Sequence, residues 1–183
     1  MGIFVPDPEK LYTFCDYENW PADAGYELIE GKPAKTAKAA FAHHRAAHRI
    51  HNLFGSYLSA KGGEALYRFD VRLKGKSGDC VVCPDVQIAC NAQSIGESFV
   101  SGAPDLICEV ASPETAVRDF YDKRVIYEAN GVKEYWTASV SDRFLLVLVL
   151  EEGAYRQAGI YFSGEAKSPT FAGLSVEVDS LFV

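Results

Sequence analysis

Two carboxylates sit inside apolar runs, and they limit what this chain can become. Glu109 lies in Leu106-Ile107-Cys108-Glu109-Val110-Ala111, and Asp85 lies in Val81-Val82-Cys83-Pro84-Asp85-Val86-Gln87-Ile88. Both runs read as core strands, where an acid is costly unless something pairs with it. If adjacent strands bring the two acids together, each raises the other's pKa unless a cation sits between them. Hard cations such as Mg²⁺ take oxygen ligands of this kind, usually one or two carboxylates plus water and substrate phosphate.

The rest of the pattern alternates strands and helices. Residues 1–25, with three prolines and scattered aromatics, read as an irregular arm with a short helix near 8–14. Residues 26–183 read as one α/β domain. A short strand is expected over 26–29, followed by a turn at Glu30-Gly31-Lys32-Pro33. A helix is expected over 37–60, with Ala46, Ala47, Ile50, Leu53, Phe54 and Tyr57 on one face and Gly62-Gly63 at its end. Three strands follow at 65–73, 79–89 and 105–111, with a polar loop over 91–102. Ser112 can cap a second helix, Pro113 suits its first turn, Glu114 favours its positive end, and Gly131 stops it. Lys133 opens another strand, 144–150 and 155–162 form a hairpin, and 174–178 adds a last short strand.

Composition narrows the function. Of 183 residues, 48% are apolar and 23% charged, which is ordinary for a globular chain, and the net charge of −7 argues against nonspecific coating of nucleic acid. It leaves room for a local basic groove or a metal-bridged phosphate site. The five cysteines are odd in number, and Cys83, Cys90 and Cys108 lie in apolar runs, so they read as reduced thiols. There is no apolar run long enough for a membrane helix and no signal-peptide pattern at the N-terminus. A cytoplasmic protein is the expectation.

A lysine completes the acidic set. Asp119, Lys123 and Tyr127 recur at four-residue intervals and so share one helix face. That row borders a stripe of Ala116, Val117, Phe120 and Tyr121, from which Lys123 could reach inward beside the sheet. Two acids and a lysine around a metal suit phosphodiester hydrolysis, the lysine holding the attacking water or stabilising charge on phosphorus. The plainer reading of each acid is an edge position or a structural ion pair. Asp105 also follows a proline, but at a strand start, where a turn role suffices.

Other candidates carry less. His43, His44, His48 and His51 all lie in the first helix. His44, His48 and His51 project from its flank and read as a solvated face rather than a zinc site, whereas His43 falls on the apolar side. Cys80 and Cys83 are three apart on an extended segment, so they point to opposite faces and cannot share one ion. Arg45, Arg49, Arg68, Arg72 and Arg118 could line a phosphate groove, although most surface arginines are simply solvated.

The ordered motifs resemble those of the Uma family, bacterial proteins abundant in cyanobacteria and described as putative restriction endonucleases. The resemblance rests on Tyr26-Glu27-Leu28-Ile29-Glu30-Gly31, Phe69-Asp70-Val71-Arg72-Leu73, Pro84-Asp85-Val86 and Gly102-Ala103-Pro104-Asp105-Leu106. It continues through Glu109-Val110-Ala111-Ser112-Pro113, Arg118-Asp119, Lys123, Tyr127, Gly131 to Trp136, and Phe171-Ala172-Gly173-Leu174. That family is similar to the PD-(D/E)XK nucleases, which implies a restriction-endonuclease-like α/β fold: a mixed central sheet flanked by helices. It implies Asp85 and Glu109 as metal ligands, with Ala111 where the usual lysine stands and Lys123 on the following helix in its stead. Glu27, His43 and Asp119 would support the site. The implied activity is endonucleolytic cleavage of DNA with Mg²⁺, or Mn²⁺ in its place, by a homodimer away from any membrane. The alternative is a nuclease fold kept as a binding or assembly module without turnover.

Overall fold

The computed structural model describes residues 4–113 and 116–183. Its centre is a six-stranded sheet in the order Ala154–Tyr161, Phe144–Glu151, Glu134–Ser139, Leu106–Ala111, Val86–Ala89, Glu64–Tyr67. Leu106–Ala111 runs parallel to Glu134–Ser139, and the other neighbours are antiparallel. Every residue of these two central strands is buried. Both faces are covered, which is why their sequences read as unbroken apolar runs rather than alternating ones.

The helix Phe41–Leu58 covers one face. Its Ala46, Ala47, Ile50 and Phe54 pack with Cys108, Val110, Trp136 and Val147, the stripe expected from its period. The opposite face holds Ile107, Tyr135 and Leu148 and packs against Ile126 and Tyr127 of the helix Lys123–Asn130. A second, five-stranded sheet closes that side, in the order Lys32–Lys35, Tyr26–Ile29, Asp79–Val82, Asp70–Lys74, Phe99–Ser101. Asn130 clamps it to the helix, donating to Lys74 O and accepting from Lys74 N.

Two expected long strands are each broken, and the halves join different sheets. The run 65–73 splits into Glu64–Tyr67 and Asp70–Lys74 around Arg68, a non-glycine residue with φ of 47°. The run 79–89 splits into Asp79–Val82 and Val86–Ala89 at Cys83-Pro84-Asp85. Pro84 has no N–H to offer a ladder, and Arg68 N donates instead to Asp85 O at 3.1 Å. The polar loop after Asn91 contains a short strand, Phe99–Ser101, which pairs parallel to Asp70–Lys74. The end of the chain pairs Glu165–Lys167 with Ser175–Glu177 and finishes in the turn of helix Val178–Leu181.

The described helical residues of the second helix start at Ala116, whose N–H donates to Ser112 O. Glu114, and Met1 to Ile3 of the arm, lie outside the described residues. The helix then widens into a π turn at Arg118–Asp122 before Lys123–Asn130, and ends at Gly131 with φ of 83°. The expected apolar stripe on its first turns is not buried: Val117 is 71% and Tyr121 67% exposed. The inward face is the polar row instead, with Asp119, Lys123 and Tyr127 all buried. Charged neighbours on the two sheets give that row partners that water would otherwise supply.

Candidate active site

The site lies where the two sheets splay apart. Val86 pairs with Cys108 across the antiparallel ladder, so Asp85 stands one register position on, opposite Glu109. Opposed residues of an antiparallel pair share a face, and here it is the face that also carries Ile107. The two acids are braced through each other's backbone. Asp85 N donates to Glu109 Oε2 at 3.3 Å, and Val110 N donates to Asp85 Oδ2 at 2.9 Å.

Lys123 reaches the same place from the second helix. Its Nζ lies 2.9 Å from Glu27 Oε1, 3.0 Å from Glu109 Oε1 and 3.8 Å from Asp119 Oδ1. The i, i+4 spacing of Asp119 and Lys123 is thus realised across the π turn. Glu27 comes from the five-stranded sheet, where Cys83 N donates to its Oε1 at 2.9 Å. Tyr127, one turn further along the helix, donates its hydroxyl to Glu109 Oε1 at 2.7 Å. His43 enters from the first helix with Nε2 at 3.1 Å from Asp85 Oδ2, and its buried Nδ1 has no hydrogen-bond partner. All six residues read from the sequence as site candidates therefore meet in one cleft.

Charge is concentrated there. Glu27, Asp85, Glu109 and Asp119 face Lys123 and, at the rim, Arg118, whose Nε lies 3.7 Å from Glu27 Oε2. Burial pushes the Glu109 carboxyl up to about 8; Lys123 pulls it down, while Asp119 and Asp85 push it further up. Burial works against the charge of Lys123, but Glu109, Glu27 and Asp119 outweigh it and hold its pKa well above the ordinary lysine range. A cation placed between the opposed Asp85 and Glu109 carboxylates would relieve their mutual repulsion.

Asp85 is the more open of the two central acids. Among the described residues its Oδ2 takes two partners, His43 and Val110 N, and no hydrogen bond reaches its Oδ1. The cleft is small, with a volume of about 60 Å³, enough for an ion and water but not for an organic ligand. Arg68, Arg118 and Lys38 stand along its lining. Among the described residues no three His, Cys, Asp or Glu side chains form a preset metal cage. A hard cation bound by two carboxylates and completed by water and phosphate does not require one.

Tyr127, Cys83 and Arg118 are the members that sequence reasoning gave no role at the acids. Tyr127 had a signal, its spacing from Lys123, and Arg118 was a candidate for a phosphate groove; Cys83 is brought in by tertiary contacts alone. Asp105 behaves as its strand-start position suggests, accepting from Cys90 N at 2.8 Å and pairing with Lys133 at 2.7 Å, away from the cleft. His44, His48 and His51 are less free than a solvated face. His44 Nδ1 lies 3.0 Å from the Tyr67 hydroxyl, His48 stacks on the Tyr67 ring, and His51 Nε2 meets Ala65 O. Cys80 and Cys83 do not converge on one point: Cys80 Sγ accepts from Glu30 N.

The comparisons with known proteins agree with this architecture. The model of the Uma2 family, described as putative restriction endonuclease, matches residues 14–179. Among solved structures, the chain is similar to one described as a putative nuclease belonging to DUF820, from Anabaena variabilis ATCC 29413. The two are 16% identical with a TM-score of 0.77, over 93% of this chain and 97% of that one. At that identity the likeness shows the fold. No curated protein matches the chain.

Proposed function

The chain belongs to the Uma2 family of putative restriction endonucleases, and from that premise we propose that it is a divalent-metal-dependent endonuclease that hydrolyses DNA phosphodiester bonds in the cleft of Asp85, Glu109 and Lys123. The observation that carries the proposal is the cross-bracing of Asp85 and Glu109, two buried acids opposite one another with Lys123 3.0 Å from Glu109. Their oxygens suit Mg²⁺, or Mn²⁺ in its place, and the opposition of two carboxylates favours such a cation. Bound there, it would polarise the phosphate and lower the pKa of a coordinated water.

The chain's own groups do the positioning. Val110 N and His43 fix Asp85 Oδ2, which leaves Oδ1 for a ligand. Tyr127 and Lys123 fix Glu109 Oε1, and Asp85 N fixes Oε2. An ammonium has three N–H donors. Lys123 spends two on Glu27 and Glu109, and the third can hold the attacking water or a phosphate oxygen. Glu27 and Asp119 keep Lys123 charged in a dry setting. Arg68 and Arg118 at the lining supply contacts to flanking phosphates.

The enzyme would work in the cytoplasm as a homodimer. The exposed Val117, Tyr121 and Phe162 give the second copy an apolar surface to cover. Among the described residues no helix is long and apolar enough to cross a membrane. The test is Glu109→Gln, assayed on plasmid DNA with Mg²⁺ or Mn²⁺. Cleavage should vanish while circular dichroism stays unchanged; cleavage at the parent rate would overturn the assignment.

A second reading has its own support. Lys123 is only 3% exposed and tied to carboxylates, as in a structural ion pair, which suits a binding or assembly module without turnover. Calorimetry with Mg²⁺ separates the two: carboxylate-dependent binding favours the nuclease, and none favours the module.

A further inference from the structure

A second pocket lies away from the acidic cleft, on the outer side of the five-stranded sheet. It has a volume of about 420 Å³, against about 60 Å³ at the acids. The N-terminal arm builds its wall. Trp20 packs against Tyr12, Tyr17 and Tyr26, with ring centroids 5.1, 5.1 and 6.3 Å away. Arg72 lines the pocket too, its guanidinium 3.5 Å from the centre of the Phe99 ring and paired with Glu18 at 2.5 Å. A lining of aromatic rings and a guanidinium around a volume of several hundred Å³ suits a planar ring.

The lining carboxylate that stands outside an ion pair is Asp70. Its Oδ2 accepts from the Tyr17 hydroxyl at 3.3 Å, and the Cys83 thiol also donates to the carboxylate. Among the described residues no cation pairs with Asp70 in an ion pair. Burial pushes its pKa up, and the Cys83 and Tyr17 donors, with the Arg72 charge nearby, only partly offset that. A ligand bringing two N–H donors on one edge would relieve the desolvated carboxylate. Guanine alone among the DNA bases presents such an imino–amino edge on a large stacking face, and aromatic and guanidinium planes are the usual stacking partners of unpaired bases.

The pocket is also wired to the cleft. Asp70 meets Cys83, whose backbone N–H holds Glu27, whose carboxylate holds Lys123. We propose that the pocket of Trp20, Tyr26, Phe99, Arg72 and Asp70 binds an unpaired or extruded guanine base, stacked between the arm and Arg72 with its imino–amino edge on Asp70. The base would belong to the nucleic acid cut in the cleft, so the proposal rests on the nuclease reading for its purpose. Its test does not, because it uses neither phosphodiester nor metal.

Trp20 supplies the readout, since the only other tryptophan, Trp136, is fully buried. Deoxyguanosine is titrated into the full chain in EDTA, with Trp20 fluorescence and calorimetry followed together. Saturable quenching is expected, with deoxyadenosine and deoxycytidine roughly 10-fold weaker or more, as loss of a two-donor edge implies. Asp70→Asn should weaken deoxyguanosine about 10-fold, and Trp20→Phe should lose the quenching while calorimetry still detects heat or reports weakened binding. No saturable signal by either method, equal binding of the three nucleosides, or unchanged affinity in Asp70→Asn would each overturn the proposal. Absence of DNA cleavage in any assay would overturn the nuclease reading and leave this result standing.

Discussion

Lys123 Nζ lies 2.9 Å from Glu27 Oε1, and this ion pair ties the helix over the central sheet to a strand of the other sheet. Both partners are almost fully buried. Removing one side of such a pair strands the other as an uncompensated charge, which typically costs about 3–5 kcal/mol. Lys123→Ala should therefore lower urea stability by an amount of that order. Glu27→Gln in the same chain should recover part of the loss, a coupling that a double-mutant cycle measures. Strictly additive losses would show that the pair is not energetically linked.

Glu109 makes the metal-free protein less stable as pH rises. Its carboxyl titrates near 4.5 when unfolded and is held to about 8 in the fold, chiefly by burial. Between those values the folded chain binds more protons than the unfolded one, so stability falls with increasing pH and levels off above about 8. Denaturant midpoints in EDTA should show this slope in the parent and a shallower one in Glu109→Gln. Mg²⁺ should stabilise the parent more at the upper end of the window, where Glu109 has already given up its proton. Parallel slopes in the two proteins would count against the assignment.

Asp85 and Asp105 follow the same dipeptide pattern and should part company on mutation. Asp85→Asn removes the acid with an open oxygen in the cleft and should abolish both cleavage and Mg²⁺-dependent stabilisation. Asp105→Asn loosens a pair with the mostly exposed Lys133. It should cost no more than about 1 kcal/mol and leave cleavage intact. Plasmid assays beside thermal melts distinguish the two, and loss of cleavage in Asp105→Asn would show that Asp105 too serves the cleft.

The exposed apolar row predicts an oligomer. Phe144 lies between Phe120 and Phe162, with ring centroids 5.9 and 5.7 Å away, and Val117 and Tyr121 stand exposed on the neighbouring turn. Tyr121→Asp combined with Phe162→Asp should convert a dimer to a folded monomer in light scattering. A parent that is already monomeric at high concentration would dismiss the row as an interface.

How far the sequence could be read depended on whether the forces were local. Tyr26–Ile29 was bounded correctly because Gly31 turns the chain at once. Gly131 ended its helix for a similar reason. The acids were legible because a charge in an apolar run is conspicuous, and Lys123 because helical spacing set it beside Asp119. The two strand breaks were not legible. Arg68 takes a left-handed backbone in exchange for a bond to Asp85 O, a partner distant in sequence. Nor could the inward turn of the polar row be read. Val117 and Tyr121 look like core by hydrophobicity, and only the carboxylates waiting on the two sheets reverse the preference.

The two places where the chain leaves one sheet for the other also govern where its length can change. Arg68 and the Cys83-Pro84-Asp85 segment meet at the Arg68 N to Asp85 O bond, and an added residue in either would rotate Asp85 away from Glu109. The hairpin between Glu151 and Ala154 has no such duty. Insertions, tags and circular permutation should find room at that hairpin, and deletion or extension at the crossings should be met with a misaligned cleft even when both sheets still form.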